Sequence, residues 1–183
     1  SLKFVLVLYP DSTGISTGIS IKIIAWRELC VIMSEEFICG VHAMEYFTDS
    51  YMETEQLGER LGRGLNGGEI VALSGDLGAG KTAFVRGLAR GLDVTDSVKS
   101  PTFTIVDEHE GRVPLFHFDM YRLGGFDELF DIGWDDYVAR GGVCAVEWSE
   151  NVPEIINSET ITVDIRNMGG DRRCITIGGV KEL

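Results

Sequence analysis

Gly75-Asp76-Leu77-Gly78-Ala79-Gly80-Lys81-Thr82 decides the reading of this chain. An apolar run, Ile70 to Leu73, precedes these residues, and Phe84, Val85, Leu88, Ala89 and Leu92 follow at helical spacing. The segment therefore matches G-x-x-x-x-G-K-[ST] at a turn from strand to helix, where that pattern has physical meaning. Glycines let the backbone wrap closely around phosphate oxygens and present several N–H groups to them. A helix beginning near Gly80 adds its partial positive end. Lys81 supplies a full positive charge for the β- and γ-phosphates, and the Thr82 hydroxyl is an oxygen ligand for Mg²⁺. Leu77, Gly78, Ala79, Gly80, Lys81 and Thr82 are thus candidate nucleotide-binding residues.

Upstream of the loop, Ser50 or Thr54 caps an expected helix that carries Leu57, Leu61 and Leu65 on one face and ends at Gly67-Gly68. Downstream, Ser100-Pro101 marks a break, because proline disfavours helix in the residue before it. Phe103 to Val106 and Val113 to Phe118 read as strands around a turn at Glu110-Gly111, and Asp127 to Val138 as an acidic helix. Val143 to Val146 is a further short strand ending at Glu147. Alternation at Ile161, Val163 and Ile165, then at Cys174, Ile175 and Ile177, predicts a C-terminal hairpin. Strands alternating with helices predict a three-layer α/β fold of the P-loop NTPase type, with a mostly parallel central sheet and added antiparallel strands.

Residues 1–43 read differently. Leu2 to Tyr9 is a strand-like apolar run, Asp11 to Ser20 is rich in turn formers, and neither carries a functional motif. The expected division is an extension over 1–43, outside the P-loop domain, and the domain itself over 44–183, with Met44 an alternative first residue.

The chain has 183 residues, 44% hydrophobic and 25% charged, the balance of a soluble globular protein with a real core. Ile19 to Met33 is its most apolar early stretch, but Lys22, Arg27 and Glu28 interrupt it, so no membrane span is expected. The chain opens without a basic leader and cleavage site, which predicts a cytoplasmic protein. Cys30, Cys39, Cys144 and Cys174 form no CxxC pair and share no ligand spacing with the histidines. They read as scattered reduced thiols rather than a zinc or redox centre. A formal net charge of −13 repels a phosphate backbone, so any nucleic-acid role is expected to run through a partner protein.

A phosphate loop needs an acid for the magnesium shell, usually at the end of a neighbouring buried strand. Asp119 and Glu147 both have that placement. It also needs a group near the γ-phosphate or the attacking water, and Ser100-Pro101-Thr102-Phe103-Thr104 offers hydroxyls in a loop between elements. Trp148 either stacks near the nucleotide or packs in the core.

These segments also occur together. Gly78-Ala79-Gly80-Lys81-Thr82, Ser100-Pro101-Thr102-Phe103-Thr104, His117-Phe118-Asp119-Met120-Tyr121-Arg122-Leu123, Asp127-Glu128-Leu129, Ile132-Gly133 and Glu147-Trp148 stand in one order along the chain. In that order and spacing the chain resembles the TsaE (YjeE) family, small bacterial ATPases required for threonylcarbamoyladenosine modification of tRNA. The resemblance runs from about Met44 to the C-terminus. It implies ATP and Mg²⁺ as ligands, with Lys81 holding phosphates and Thr82 and Glu147 ligating the metal. It implies Asp119 as the acid for hydrolysis, Thr104 or Thr102 as the switch hydroxyl, and Trp148 beside the nucleotide. Thr54 resembles a family position near the nucleotide. The implied partners are the TsaD and TsaB proteins, with tRNA reached only through that complex. Met120 stands where leucine is usual, a volume-conserving change, and Ser149 where proline often follows the tryptophan.

Two other functions fit the residues less well. A small-molecule kinase closes an arginine-bearing lid, and Arg86, Arg90, Arg112, Arg122 and Arg140 form no tight cluster of that kind. A GTP-dependent switch reads guanine with an Asn/Thr-Lys-x-Asp segment, which does not occur here. ATP is therefore expected over GTP. A chain with no obvious arginine finger is expected to hydrolyse ATP slowly without partners.

Overall fold

The computed structural model describes residues 43–180 and, before them, the backbone of 4–10, 19–25 and 31–32. Most of the expected extension therefore lies outside the described residues, as do Cys30 and Cys39. Among its described parts, β1 (Phe4–Pro10) and β2 (Ile19–Ala25) form an antiparallel pair.

The main sheet is built from β3 (Val31–Ile32), β4 (Met44–Thr48), β5 (Ile70–Ser74), β6 (Val106–His109), β7 (Leu115–Asp119), β8 (Val143–Glu147), β9 (Ile161–Asn167) and β10 (Arg173–Gly178). Their order across the sheet is β3-β4-β10-β9-β5-β8-β7-β6. The central four, β9, β5, β8 and β7, are parallel; every other pairing is antiparallel. The fold is thus the expected α/β type, with a parallel centre, antiparallel additions on both sides and the β9–β10 hairpin.

Burial on both faces makes β5, β7 and β8 largely apolar, as strands inside a parallel sheet require, whereas β9 alternates buried and partly exposed residues. Every residue of β7 and β8 is buried. Their alternate residues serve two cores. Leu115, Val143 and Ala145 face α1 (Tyr51–Gly64) and α2 (Lys81–Gly91), with Leu57, Leu61, Leu65, Phe84, Leu88 and Leu92. Phe116, Phe118, Cys144 and Val146 face the opposite layer, with Leu129 and Trp134 from α3 (Phe126–Asp131) and α4 (Trp134–Ala139).

Ser50 is the cap of α1: its side chain accepts from Glu53 N, while the Glu53 carboxylate accepts from Asp49 N at 2.8 Å. That reciprocal pair is close to a capping box. Glycines set the fit of α1 against α2. A Cβ on Gly58 or Gly62 would run into the Phe84 or Leu88 carbonyl, and one on Gly87 into the Glu55 backbone. Glu55, buried in this seam, accepts from Arg86 Nε and Arg90 Nη1 at 2.7 Å each.

Local expectations change in places. The strand expected over Phe103–Val106 begins only at Val106, because Thr102–Thr104 form a turn in which Ile105 N donates to Pro101 O at 2.7 Å. The acidic helix expected over Asp127–Val138 is two short helices, broken at Gly133, whose φ of 89° is outside the helical region. Strand β4 has no counterpart among the expected elements.

Candidate nucleotide-binding site

Parallel strands end at one edge, so the loops after β5, β7 and β8 converge there. β7 and β8 pair in register, with Asp119 beside Glu147 as their last residues. The loop after β5 is Gly75 to Gly80, in which Gly75, Gly78 and Gly80 have φ of 131°, 74° and 117°. Such values are costly for residues carrying a Cβ, which is why glycine occupies these positions. The loop ends directly on the N-terminus of α2.

A cleft of about 410 Å³ opens over this loop, bounded also by Ser100, Thr102, Asp119, Tyr121, Glu147 and Trp148. Lys81 is nearly buried at its base. Its ammonium donates to the Gly75 carbonyl and, at 3.1 Å, to the Asp76 carbonyl, and it sits 3.6 Å from the centroid of the Trp148 ring. Burial pulls the Lys81 pKa below its ordinary value, against the opposing charges of Glu150, Glu147, Asp119 and Asp76. An anion bound beside the ammonium would relieve that cost.

Glu147 joins three elements. Its Oε2 accepts the Thr82 hydroxyl at 3.0 Å, and its Oε1 lies 2.8 Å from His117 Nε2. A carboxylate offers only lone pairs, so Nε2 carries the proton in this contact. His117 is fully buried, and its Nδ1 has no hydrogen-bond partner.

Asp119 is bound on both oxygens. Oδ2 accepts from Ser100 Oγ at 2.5 Å and Thr102 Oγ1 at 2.7 Å, and Oδ1 accepts from Tyr121 N at 3.0 Å. The Asp119 N–H donates in turn to Ile105 O at 2.9 Å. Ile105 has a φ of 69°, a left-handed conformation strained for a β-branched residue. The segment from Ser100 to Ile105 is thereby clasped onto the end of β7.

The structure brings Leu77, Gly78, Ala79, Gly80, Lys81, Thr82, Asp119, Glu147 and Trp148 to one cleft. It does not bring Thr104, which is exposed and donates to Asp107 Oδ1 at 2.9 Å. The turn that folds Thr102 inward onto Asp119 leaves Thr104 outside, so of the two hydroxyls only Thr102 lies at the cleft, beside Ser100. Thr54 stands behind the loop: buried, bonded to Thr48 Oγ1 at 2.9 Å, and with Cγ2 3.9 Å from where a Cβ on Gly80 would lie.

His117 carried no role in the sequence reading beyond its place in a motif. Its signal was alternation: on a strand, His117 and Asp119 share a face, so a histidine in the apolar run Leu115–Phe118 points to the same side as the acid. Arg173, whose Nε donates to Ala79 O at 2.6 Å, left no such local signal.

The donor set suits a metal shared with phosphate. Among the described residues no cluster of three or more His, Cys, Asp or Glu side chains forms a metal cage of its own. Thr82 Oγ1 and Glu147 Oε2 instead offer two oxygens at the loop, the sparse protein contribution that Mg²⁺ accepts when phosphates and water complete its octahedron.

Fold and site together define a P-loop-type α/β protein. The family model for "Threonylcarbamoyl adenosine biosynthesis protein TsaE" matches residues 48–175. The chain belongs to the TsaE family. It is 40% identical to the tRNA threonylcarbamoyladenosine biosynthesis protein TsaE of Treponema pallidum over 73% of this chain and 99% of that one. With the protein of the same name from Bacillus subtilis the identity is 46%, over 62% of this chain and 71% of the relative. The crystal structure of Bacillus subtilis YdiB superposes with a TM-score of 0.65 at 35% identity, covering 75% of this chain and 86% of that one. No helix among the described residues is long and apolar enough to cross a membrane.

Proposed function

We propose that this chain is a Mg²⁺-dependent ATPase subunit of tRNA threonylcarbamoyladenosine biosynthesis, whose hydrolysis cycle acts on a complex of TsaD and TsaB proteins. One observation carries the ATPase reading: a glycine loop at a helix N-terminus, the Thr82–Glu147 pair and the clasped Asp119 share a single cleft.

The charges in that cleft argue for a cation with the nucleotide. Asp119 and Glu147 face the same space as the loop and would repel a polyphosphate arriving alone. Mg²⁺ held there would supply the neutralising charge that lets a polyphosphate approach the acidic wall. Lys81 exchanges its backbone carbonyl partners for phosphate oxygens. Thr82 and Glu147 hold the metal side, with His117 fixing the Glu147 rotamer. Asp119 orients the water, and it can do so fully once Ser100 and Thr102 release its Oδ2 and turn toward the γ-phosphate. The clasp thus makes slow hydrolysis the resting condition, and a partner that opens it would accelerate turnover.

The acidic chain leaves tRNA contact to its partners. The test is ATP hydrolysis by the purified chain, alone and with TsaB and TsaD proteins of the same organism. Turnover that rises with the partners and vanishes in Lys81→Ala is the expected result. Partners that neither bind nor change turnover would remove the complex from the reading, and unchanged turnover in Lys81→Ala would remove the site.

A further inference from the structure

Arg173 stands at the start of β10, opposite Asn167 of β9 and Thr48 of β4. Its guanidinium is used at two ends. Nε donates to the carbonyl of Ala79, inside the glycine loop, at 2.6 Å. Nη1 donates to the Gly170 and Arg172 carbonyls, at 2.8 and 2.9 Å, and lies 3.4 Å from Asn167 Oδ1. One rigid planar group therefore ties the turn between β9 and β10 to the loop after β5, 94 residues apart in sequence.

The direction of the Ala79 carbonyl has a consequence. A trans peptide is planar, with its C=O and N–H pointing opposite ways, and no peptide bond among the described residues is cis. Ala79 and Gly80 line the cleft but Arg173 does not, so its guanidinium holds the Ala79 carbonyl from outside it. Holding the Ala79 carbonyl toward Arg173 turns the Gly80 N–H the other way, toward the cleft. Were this peptide to flip, the loop would present a carbonyl oxygen to an incoming phosphate in place of a donor.

We propose that Arg173 is a positioning residue for the phosphate cradle: it locks the Ala79–Gly80 peptide so that the Gly80 N–H faces the bound phosphate. This rests on the phosphate-site reading above. Arg173 touches no phosphate in this role and acts only through the peptide it holds. A lysine keeps the charge but has one ammonium, which cannot hold the turn and the loop along two directions of a fixed plane.

The experiment measures ADP and inorganic pyrophosphate affinity by calorimetry for the full chain, as wild type, Arg173→Ala and Arg173→Lys, together with the ligand-free melting midpoint of each. In Arg173→Ala both ligands should weaken by about tenfold or more, as when a supporting contact to a binding group is lost. Arg173→Lys should recover only a minor part, and the loss should persist at temperatures far below each melting midpoint. A general loss of fold would instead lower the fraction of competent protein and leave the affinity of that fraction intact. ADP affinity within twofold of wild type in Arg173→Ala overturns the proposal. So does a loss for ADP with pyrophosphate unaffected, or full recovery in Arg173→Lys. A wild-type chain that binds neither ligand removes the phosphate-site reading itself, an outcome distinct from all of these.

Discussion

Glu147 Oε2 accepts the Thr82 hydroxyl at 3.0 Å while its Oε1 is held by His117 at 2.8 Å, so one carboxylate is oriented from both sides. A carboxylate free to rotate would meet the proposed metal position only part of the time. His117→Leu should therefore raise the Mg²⁺ concentration needed for tight ADP binding by about tenfold, the usual scale for a lost supporting contact. His117→Gln, which can place an N–H near the same point, should recover much of it. Titration of ADP affinity against Mg²⁺ is the measurement, and identical curves for His117→Leu and wild type would reduce His117 to packing.

Lys81→Ala should abolish productive ATP turnover in the presence of partners, because it removes the principal phosphate charge. The same substitution takes a desolvated ammonium out of the ligand-free protein. Its melting midpoint without nucleotide should accordingly hold or rise, while stabilisation by added ADP disappears. Parallel melts with and without ADP separate the two effects.

Thr102 and Ser100 converge on Asp119, whereas Thr104 turns outward to Asp107. Thr102→Ala should change turnover by about tenfold or more, within the range for a positioned group near a reacting centre. Thr104→Ala should stay close to wild type. Steady-state hydrolysis of the two variants side by side decides it, and the reverse order would return the switch role to Thr104.

Glu55 links α1 to two arginines of α2. Burial alone would raise its pKa, but the hydrogen bonds from Arg86 and Arg90 outweigh burial and hold it below the ordinary carboxylate value. A depressed carboxylate stabilises the fold fully above its unfolded pKa and loses that contribution as pH falls through the folded value. Glu55→Gln should cost about 1–3 kcal/mol at pH 7, short of a fully buried pair because both arginines are partly solvated. The gap to wild type should narrow below pH 4.5, the ordinary value. Urea unfolding at pH 7 and at pH 3.5 reads both; a gap independent of pH would mean that shape rather than charge carries the contact.

Gly87 packs so closely on α1 that a Cβ there would overlap the Glu55 backbone. Gly87→Ala should improve intrinsic helix propensity yet destabilise the protein by about 2–3 kcal/mol through overpacking. Gly64, with open space around it, is the control: Gly64→Ala should be neutral or slightly stabilising in the same denaturation assay.

Much of this molecule was legible in sequence because the signals are local. The glycine loop states its own backbone conformation, the apolar runs of β5, β7 and β8 state their burial on both faces, and Leu57, Leu61 and Leu65 state the buried face of α1. Asp119 and Glu147 were candidates for the same reason, each being an acid at the end of a buried strand. The turn at Thr102–Thr104 is not legible locally because Asp119, distant in sequence, holds Thr102, and the break at Gly133 rests on a left-handed glycine inside a pattern that otherwise reads as one helix.

What the amino-acid order alone determined was therefore most of the elements, the class of fold and the glycine loop, all set by interactions within a few residues. Only the tertiary structure decided that Thr102 rather than Thr104 meets Asp119, that His117 steadies Glu147, and that Arg173 braces Ala79. Those contacts depend on which strands lie side by side and in what register, and register is settled by the packing of the whole sheet between its two helical layers.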